Sequence, residues 1–227
     1  MSRQIADRVE RDVAIPARDA SLAGDLTVPA GAKAVVLFAH GSGSSRMSPR
    51  NVWVATQLQR AGLATLLFDL LTAGEEQRDA YTREHRFDIP LLAGRLALAT
   101  DWIDTQPELQ ALPVGYFGAS TGAAAALVAA FKRKTRVCAV VSRGGRPDLA
   151  GPDVLASVTA ATLLIVGGHD DVVLDLNRNA LALMTCEKRL DVVPGATHLF
   201  EEHGALERVA ALASEWLVEF LVVQAAR

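Results

Sequence analysis

Short runs of β-branched residues and leucine alternate with longer segments whose apolar residues recur every three or four positions. This alternation is typical of a mostly parallel sheet with helices packed on both faces. The short runs predict six buried strands, at residues 34–39, 63–68, 114–117, 137–142, 161–166 and 190–193. The periodic segments predict five helices, at residues 49–61, 90–105, 120–132, 174–184 and 205–223.

The N-terminal part of the chain has a different pattern. Segments 9–15 and 22–28 read as two strands joined by the polar turn 17–21, which predicts an antiparallel hairpin at the start of the sheet. About eight strands are then expected within one α/β domain, residues 1–227, because no change of composition marks a second domain. Segments 72–89 and 144–157 are expected to be long loops above the carboxyl ends of the strands, where ligands bind in such sheets.

Composition narrows the possible partners. The chain has 227 residues, of which 50% are hydrophobic, and its 23 Lys and Arg against 26 Asp and Glu are interspersed. The net charge is −3, and the positive residues do not cluster along the sequence. The chain therefore lacks the basic segment by which proteins bind nucleic acid or an anionic membrane. We therefore expect no nucleic-acid or membrane partner, and a monomer or small homo-oligomer.

The cysteines and the N-terminal residues indicate the cellular compartment in which the protein is expected. Cys138 and Cys186 are too few for a disulfide framework, which indicates a reducing compartment. Residues 1–12 carry regularly spaced charges and lack the apolar segment of a signal peptide, so a cytoplasmic protein is expected. Cys138 falls in a predicted buried strand and is expected to pack in the core.

The strongest chemical signal is G-A-S-T-G, residues 118–122, between a predicted strand and a helix of small residues. A serine at a tight turn from strand to helix has an exposed hydroxyl and a strained backbone, and bulky neighbours would clash there. Ser120 is therefore a candidate nucleophile. The alternative is a glycine-flanked helix start in which Ser120 is only the N-cap.

A serine nucleophile needs a base, and the base needs an acid that orients it. The strand at 161–166 runs into G-G-H-D-D-V-V, residues 167–173, and the strand at 190–193 runs into P-G-A-T-H, residues 194–198. Both follow Ser120 in the order serine, acid, histidine and lie at the same edge of the predicted sheet. The base candidate is His198, and the acid candidates are Asp170 and Asp171.

The loop H-G-S-G-S-S, residues 40–45, follows the strand at 34–39 and is rich enough in glycine for its backbone to approach a ligand closely. Backbone N–H groups at such a place can form an oxyanion hole. We expect the N–H of Thr121 to act together with that of Ser42 or of Gly43. A phosphate-binding loop is the competing interpretation, but the Walker spacing and the dinucleotide fingerprint are absent.

The four motifs H-G-S-G-S-S, G-A-S-T-G, G-G-H-D and P-G-A-T-H, in this order over most of the chain, resemble the α/β-hydrolase superfamily and its small dienelactone-hydrolase-like branch. The resemblance implies Ser120 as nucleophile, Asp170 as acid and His198 as base. Asp170 is chosen because the family pattern G-x-x-D, followed one position on by two apolar residues, matches Gly167 and Asp170. Dienelactone hydrolases proper use cysteine as the nucleophile, so Ser120 implies a serine carboxylesterase instead.

The sequence thus predicts a hydrolase for small carboxylic esters that needs no cofactor and no metal. Lactone hydrolysis and acyl transfer are variants of the same chemistry, and a non-catalytic receptor for a small ligand is the contrasting class. Arg143 and Arg146 follow a predicted strand at the active edge, where their guanidinium groups could bind a substrate carboxylate. Surface ion pairs or loop anchoring are the alternative for both arginines.

Overall fold

The computed structural model describes residues 8–17 and 20–224. It contains one eight-stranded sheet with the strand order β1-β2-β4-β3-β5-β6-β7-β8. The strands are β1 (Arg8–Ala17), β2 (Ala20–Pro29), β3 (Val35–Ala39), β4 (Ala64–Phe68), β5 (Val114–Ala119), β6 (Val137–Arg143), β7 (Ala161–Gly167) and β8 (Lys188–Val193). The β1–β2 and β2–β4 pairs are antiparallel and all other pairs are parallel, which confirms the predicted fold class. The predicted turn at 17–21 includes residues 18 and 19, which lie outside the described residues.

Seven α-helices cover the sheet in the described part of the chain. They are α1 (Pro49–Arg60), α2 (Ala73–Thr82), α3 (Ile89–Ile103), α4 (Thr121–Lys132), α5 (Pro152–Ser157), α6 (Asp171–Leu183) and α7 (Ala205–Val218). The helix predicted at 205–223 ends its regular part at Val218 and continues as a π-helical turn, Glu219–Val223. Among these helices, none combines the length and the apolar character needed to cross a bilayer.

Two of the helices lie where the sequence predicted long loops. The segment 72–89 contains α2, and the segment 144–157 contains a 3-10 turn, Pro147–Ala150, followed by α5. The start of α2 is fixed by a capping box, because the Thr72 hydroxyl accepts from Glu75 N–H and the Glu75 carboxylate accepts from Thr72 N–H. The T-x-x-E spacing at 72–75 was the signal that the loop prediction overlooked.

The central strands are buried on both faces, as their nearly continuous apolar runs predict. Val35 and Leu37 of β3 pack in the cluster that includes α3 and α4, while Val36 and Phe38 face the cluster that includes α1 and α7. The strand order reverses direction around β3, since β4 lies on one side and β5 on the other. Such a switch point opens a crevice at the carboxyl ends of the strands.

The expectation that Cys138 packs in the core is wrong, because its side chain is exposed. The pairing of β5 with β6 passes from Val114↔Val137 to Gly115↔Ala139, which leaves Cys138 without an opposite residue. An extra residue of this kind forms a bulge and interrupts the alternation of side chains between the two faces of a strand. Periodicity within β6 alone does not reveal it.

Candidate active site

Ser120 lies at a sharp turn between β5 and α4, with φ 51° and ψ −122°. Only glycine adopts a positive φ of this kind readily, so the backbone at Ser120 is strained. Its side chain makes no capping hydrogen bond, which argues against the interpretation of Ser120 as a mere N-cap. The flanking glycines are sterically required: a Cβ at Gly118 would lie 2.5 Å from Ala123 Cα, and one at Gly122 would lie 2.2 Å from the Ala39 carbonyl oxygen.

Asp170 and His198 form a pair at the carboxyl ends of β7 and β8. The distance between His198 Nδ1 and Asp170 Oδ2 is 2.6 Å, and Asp170 is the less exposed of the two side chains. Two backbone bonds of 2.9 Å join their loops, from Gly168 N–H to the Val193 carbonyl and from His169 N–H to the Ala196 carbonyl. The carboxylate therefore orients the imidazole and leaves Nε2 available on its other side.

The loop after β6 connects this pair to Ser120. Ser120 N–H donates to the Arg143 carbonyl at 3.2 Å, and a Cβ on the next residue, Gly144, would lie 3.5 Å from His198 Cε1. Ser120 and the His198 imidazole therefore both lie next to Arg143 and Gly144. Across the described residues, the hydrogen bonds do not include one between Ser120 Oγ and His198. Such bonds are often long in hydrolases without substrate and tighten when substrate binds.

The loop after β3 lies against the nucleophile from the opposite side. A Cβ at Gly41 would be 3.2 Å from Ser120 Cβ, so only glycine brings the chain this close without displacing the serine. Ser42 N–H points to the start of α4 and donates to Thr121 Oγ1 at 3.0 Å. Gly43 follows with φ +68°, and Arg86 Nη1 would be 3.5 Å from a Cβ placed there.

The two arginines proposed as substrate-binding residues differ sharply. Arg146 donates from Nε and Nη2 to the carboxylate of Asp148, at 2.9 and 2.7 Å, so its charge is already paired. Arg143 is only 8% exposed, and its Nε and Nη1 have no partner among the described residues. Burial, reinforced by the charge of Arg50, lowers the pKa of Arg143 to about 10.

A cleft of about 540 Å³ lies beside the loop after β3. Its lining includes Gly43, Arg46, Asp69, Thr72 and Glu76. Arg46 anchors this loop, because its N–H donates to Asp69 Oδ1 at 2.8 Å and its guanidinium also pairs with Asp25 and Asp69. In the part of the chain that the structure describes, no group of three or more His, Cys, Asp and Glu side chains is placed to hold a metal ion.

His40 begins the glycine-rich loop, and the sequence alone does not show which groups its imidazole contacts. Leu70 N–H donates to His40 Nε2 at 3.0 Å, so the proton of the neutral ring is on Nδ1, which donates to the Gly41 carbonyl at 3.0 Å. Burial lowers the pKa of His40 below its ordinary value of 6.5, against the opposing effects of the Gly41 carbonyl and of the charges of Asp69 and Glu76. The folded protein therefore prefers the neutral ring.

This preference makes stability depend on pH. Below the unfolded-state pKa of 6.5 the unfolded chain binds a proton that folded His40 rejects, so the free energy of unfolding should fall with decreasing pH by up to about 1.4 kcal/mol per pH unit. Urea unfolding at pH 7.5 and 5.5 should show a smaller difference for His40→Asn than for the wild type. The exposed His203, changed to Asn, is the matched control and should behave as the wild type. An equal pH dependence in all three proteins would contradict the account.

No protein-family model matches the chain. A dienelactone hydrolase from Anabaena variabilis has 58% sequence identity and a TM-score of 0.93, over 95% of this chain and all of that one. Est1E from Butyrivibrio proteoclasticus, at 16% identity, has a TM-score of 0.77 over 95% of this chain and 99% of its own, and shows the fold alone.

A Mycobacterium tuberculosis protein that carries the name "Putative phosphoribosyl transferase" is 58% identical over 212 residues. That match covers 93% of this chain and 47% of the relative, so the chain spans about half the length of this curated relative. The Anabaena structure, in contrast, is matched over its whole length at the same identity. The chain therefore belongs to the dienelactone-hydrolase-like branch of the α/β-hydrolases.

Proposed function

We propose that the protein is a serine hydrolase that cleaves small carboxylic esters through an acyl-enzyme. The observation that carries this proposal is the convergence of a strained serine, Ser120, and the hydrogen-bonded pair of Asp170 and His198 at one edge of the sheet. A binding protein has no need of a strained serine beside an oriented imidazole, because strain of this kind costs stability. The name of the Anabaena structure, a dienelactone hydrolase at 58% identity, supports the same class of reaction.

Each residue then has one role. His198 Nε2 takes the proton of the Ser120 hydroxyl as the oxygen attacks the ester carbonyl, and Asp170 fixes the imidazole tautomer and stabilises the imidazolium. The N–H groups of Thr121 and Ser42 bind the oxygen that becomes negative. His198 returns the proton to the leaving alcohol, and a water molecule activated by the same imidazole releases the acid.

Lactone hydrolysis and acyl transfer need the same residues and differ only in the acceptor or in the ring of the substrate. A non-catalytic receptor predicts ligand binding without turnover. Phosphoribosyl transfer is the activity in the name of a relative about twice as long, and none of the contacts among the described residues of this site favours it.

Steady-state hydrolysis of p-nitrophenyl esters of increasing acyl length tests the proposal. We expect turnover with a burst of p-nitrophenol when deacylation is slow, since an acyl-enzyme splits the reaction into two steps. A folded wild-type protein that turns over none of the esters, and none of the corresponding lactones or thioesters, would overturn it.

Arg143 is the proposed residue for a negatively charged part of the substrate. Its buried, unpartnered N–H groups would gain charge-assisted hydrogen bonds with a carboxylate, whereas Arg146 has Asp148 as its partner. Arg143→Gln should lower kcat/KM about 10- to 100-fold for an ester whose acyl chain ends in a carboxylate, and much less for a neutral ester of equal length. Arg146→Gln is the matched control. An unchanged ratio of the two kcat/KM values in Arg143→Gln would remove Arg143 from the binding site.

A further inference from the structure

The peptide group between Gly41 and Ser42 is held at both of its polar ends by side chains. Its carbonyl oxygen, on Gly41, accepts from His40 Nδ1 at 3.0 Å and also from Ser44 N–H at 3.2 Å. Its N–H, on Ser42, donates to Thr121 Oγ1 at 3.0 Å. The peptide plane is therefore fixed in one orientation, although glycine at position 41 would by itself permit others.

The two side chains that hold this peptide are fixed in turn. His40 is 7% exposed, and the N–H of Leu70, two residues after the end of β4, sets its tautomer. Thr121 is 4% exposed and is the first residue of α4, directly after Ser120. A buried, close-packed side chain keeps one rotamer, so both holding groups are fixed although the peptide itself is partly exposed.

We infer that His40 and Thr121 are positioning residues which hold the Gly41–Ser42 peptide so that its N–H faces the developing oxyanion. This inference rests on the proposed function and deepens it, because it gives the Thr121 side chain a role besides that of its backbone N–H. The hydroxyl of Thr121 occupies the Ser42 N–H before substrate binds and keeps the peptide from flipping.

When substrate binds, the Ser42 N–H exchanges the Thr121 hydroxyl for the substrate oxygen, and this exchange favours the transition state. A neutral hydroxyl is a weaker acceptor than an oxyanion, since hydrogen bonds to ionised groups are about twice as strong as neutral ones. Because the peptide plane is held, the Ser42 N–H keeps its orientation and exchanges the Thr121 hydroxyl for the substrate oxygen, most favourably when that oxygen carries negative charge. An interaction that strengthens only in the transition state raises kcat and leaves KM nearly unchanged.

Thr121→Val is the test variant, because valine keeps the shape of threonine and removes the acceptor. We expect kcat to fall about 10- to 100-fold with little change in KM, as for a donor that is present but poorly placed. Thr121→Ser, which keeps the hydroxyl, should recover most of the lost kcat. Thr121→Ala should show the same split between kcat and KM as valine, so that the result does not depend on how valine packs.

Thr56→Val is the matched control, because among the described residues the Thr56 hydroxyl bonds only to the Val52 carbonyl within α1. It should retain wild-type kcat. A trifluoromethyl ketone, which forms an oxyanion with the nucleophile, should lose affinity for Thr121→Val by the same factor as kcat. A kcat for Thr121→Val that equals or exceeds that of the wild type would overturn the inference.

Hydrogen exchange of the Ser42 amide, measured by NMR, tests the same contact without any turnover. The amide should be protected in the wild type and in Thr121→Ser, and should exchange about tenfold faster or more in Thr121→Val. An unprotected Ser42 amide in the wild type would overturn the inference even if esters are hydrolysed. Absence of hydrolysis by the wild type, with the amide protected as expected, would instead overturn the proposed function alone.

Discussion

Replacing Ser120 with alanine should reduce kcat for ester hydrolysis by roughly 10⁴- to 10⁶-fold, the range found when a serine nucleophile is removed from an intact site. Such a loss corresponds to about 5 to 8 kcal/mol of transition-state stabilisation. The residual rate would come from the N–H groups of Thr121 and Ser42 and from substrate binding. Initial rates with p-nitrophenyl esters measure the effect directly.

The Ser120 variant should remain folded. The Ser120 side chain makes no capping hydrogen bond, and alanine retains the Cβ and the strained backbone, so the melting temperature should change little. Ser214→Ala, on α7 and beside the residues that begin β8, is the matched control and should keep wild-type kcat. Hydrolysis by Ser120→Ala within tenfold of the wild-type rate would remove Ser120 from the mechanism.

The second large effect concerns the acid. Asp170→Asn should lower kcat about 10³- to 10⁴-fold, because asparagine can donate to His198 Nδ1 and so favour the tautomer with its proton on Nε2, which cannot accept the serine proton. The loss should be accompanied by a changed dependence of kcat on pH, since the neutral amide no longer stabilises the imidazolium. Stopped-flow or steady-state hydrolysis between pH 5 and 9 measures both.

The neighbouring carboxylate supplies the control. Asp171 is exposed at the first position of α6, and it is the carboxylate of Asp170 that accepts the hydrogen bond from His198 Nδ1. Asp171→Asn should therefore retain kcat within about twofold, as is usual for a surface substitution away from buried polar contacts. If Asp171→Asn were the more damaging variant, the acid would have been assigned to the wrong residue.

The sequence predicted the parts of the site that depend on topology. Parallel strands put their carboxyl ends at one edge, so a serine after β5, a carboxylate after β7 and a histidine after β8 had to converge if the strands were identified correctly. The need for glycine at positions 118 and 122 could also be predicted, because a strand-to-helix turn leaves no room for a Cβ there. Strand periodicity and turn chemistry are local signals, and they are sufficient to predict which residues lie at this edge of the sheet.

The rest depends on contacts between segments distant in sequence. The motif H-G-S-G-S-S does not predict that the Ser42 N–H donates to the Thr121 hydroxyl, 79 positions away. Arg143 and Arg146 differ because the Asp148 carboxylate is oriented toward Arg146. The local sequence does not reveal this orientation. The helix α2 was missed because its mostly polar sequence lacks a strong apolar stripe, and its capping box was the only local sign.

The most direct test of the central claim is covalent labelling with a fluorophosphonate, followed by peptide mass spectrometry to locate the adduct. The account predicts one adduct, on the peptide that contains Ser120, and none in Ser120→Ala at the same probe concentration. An adduct on another residue, or no adduct in a folded wild-type protein that hydrolyses esters, would contradict it.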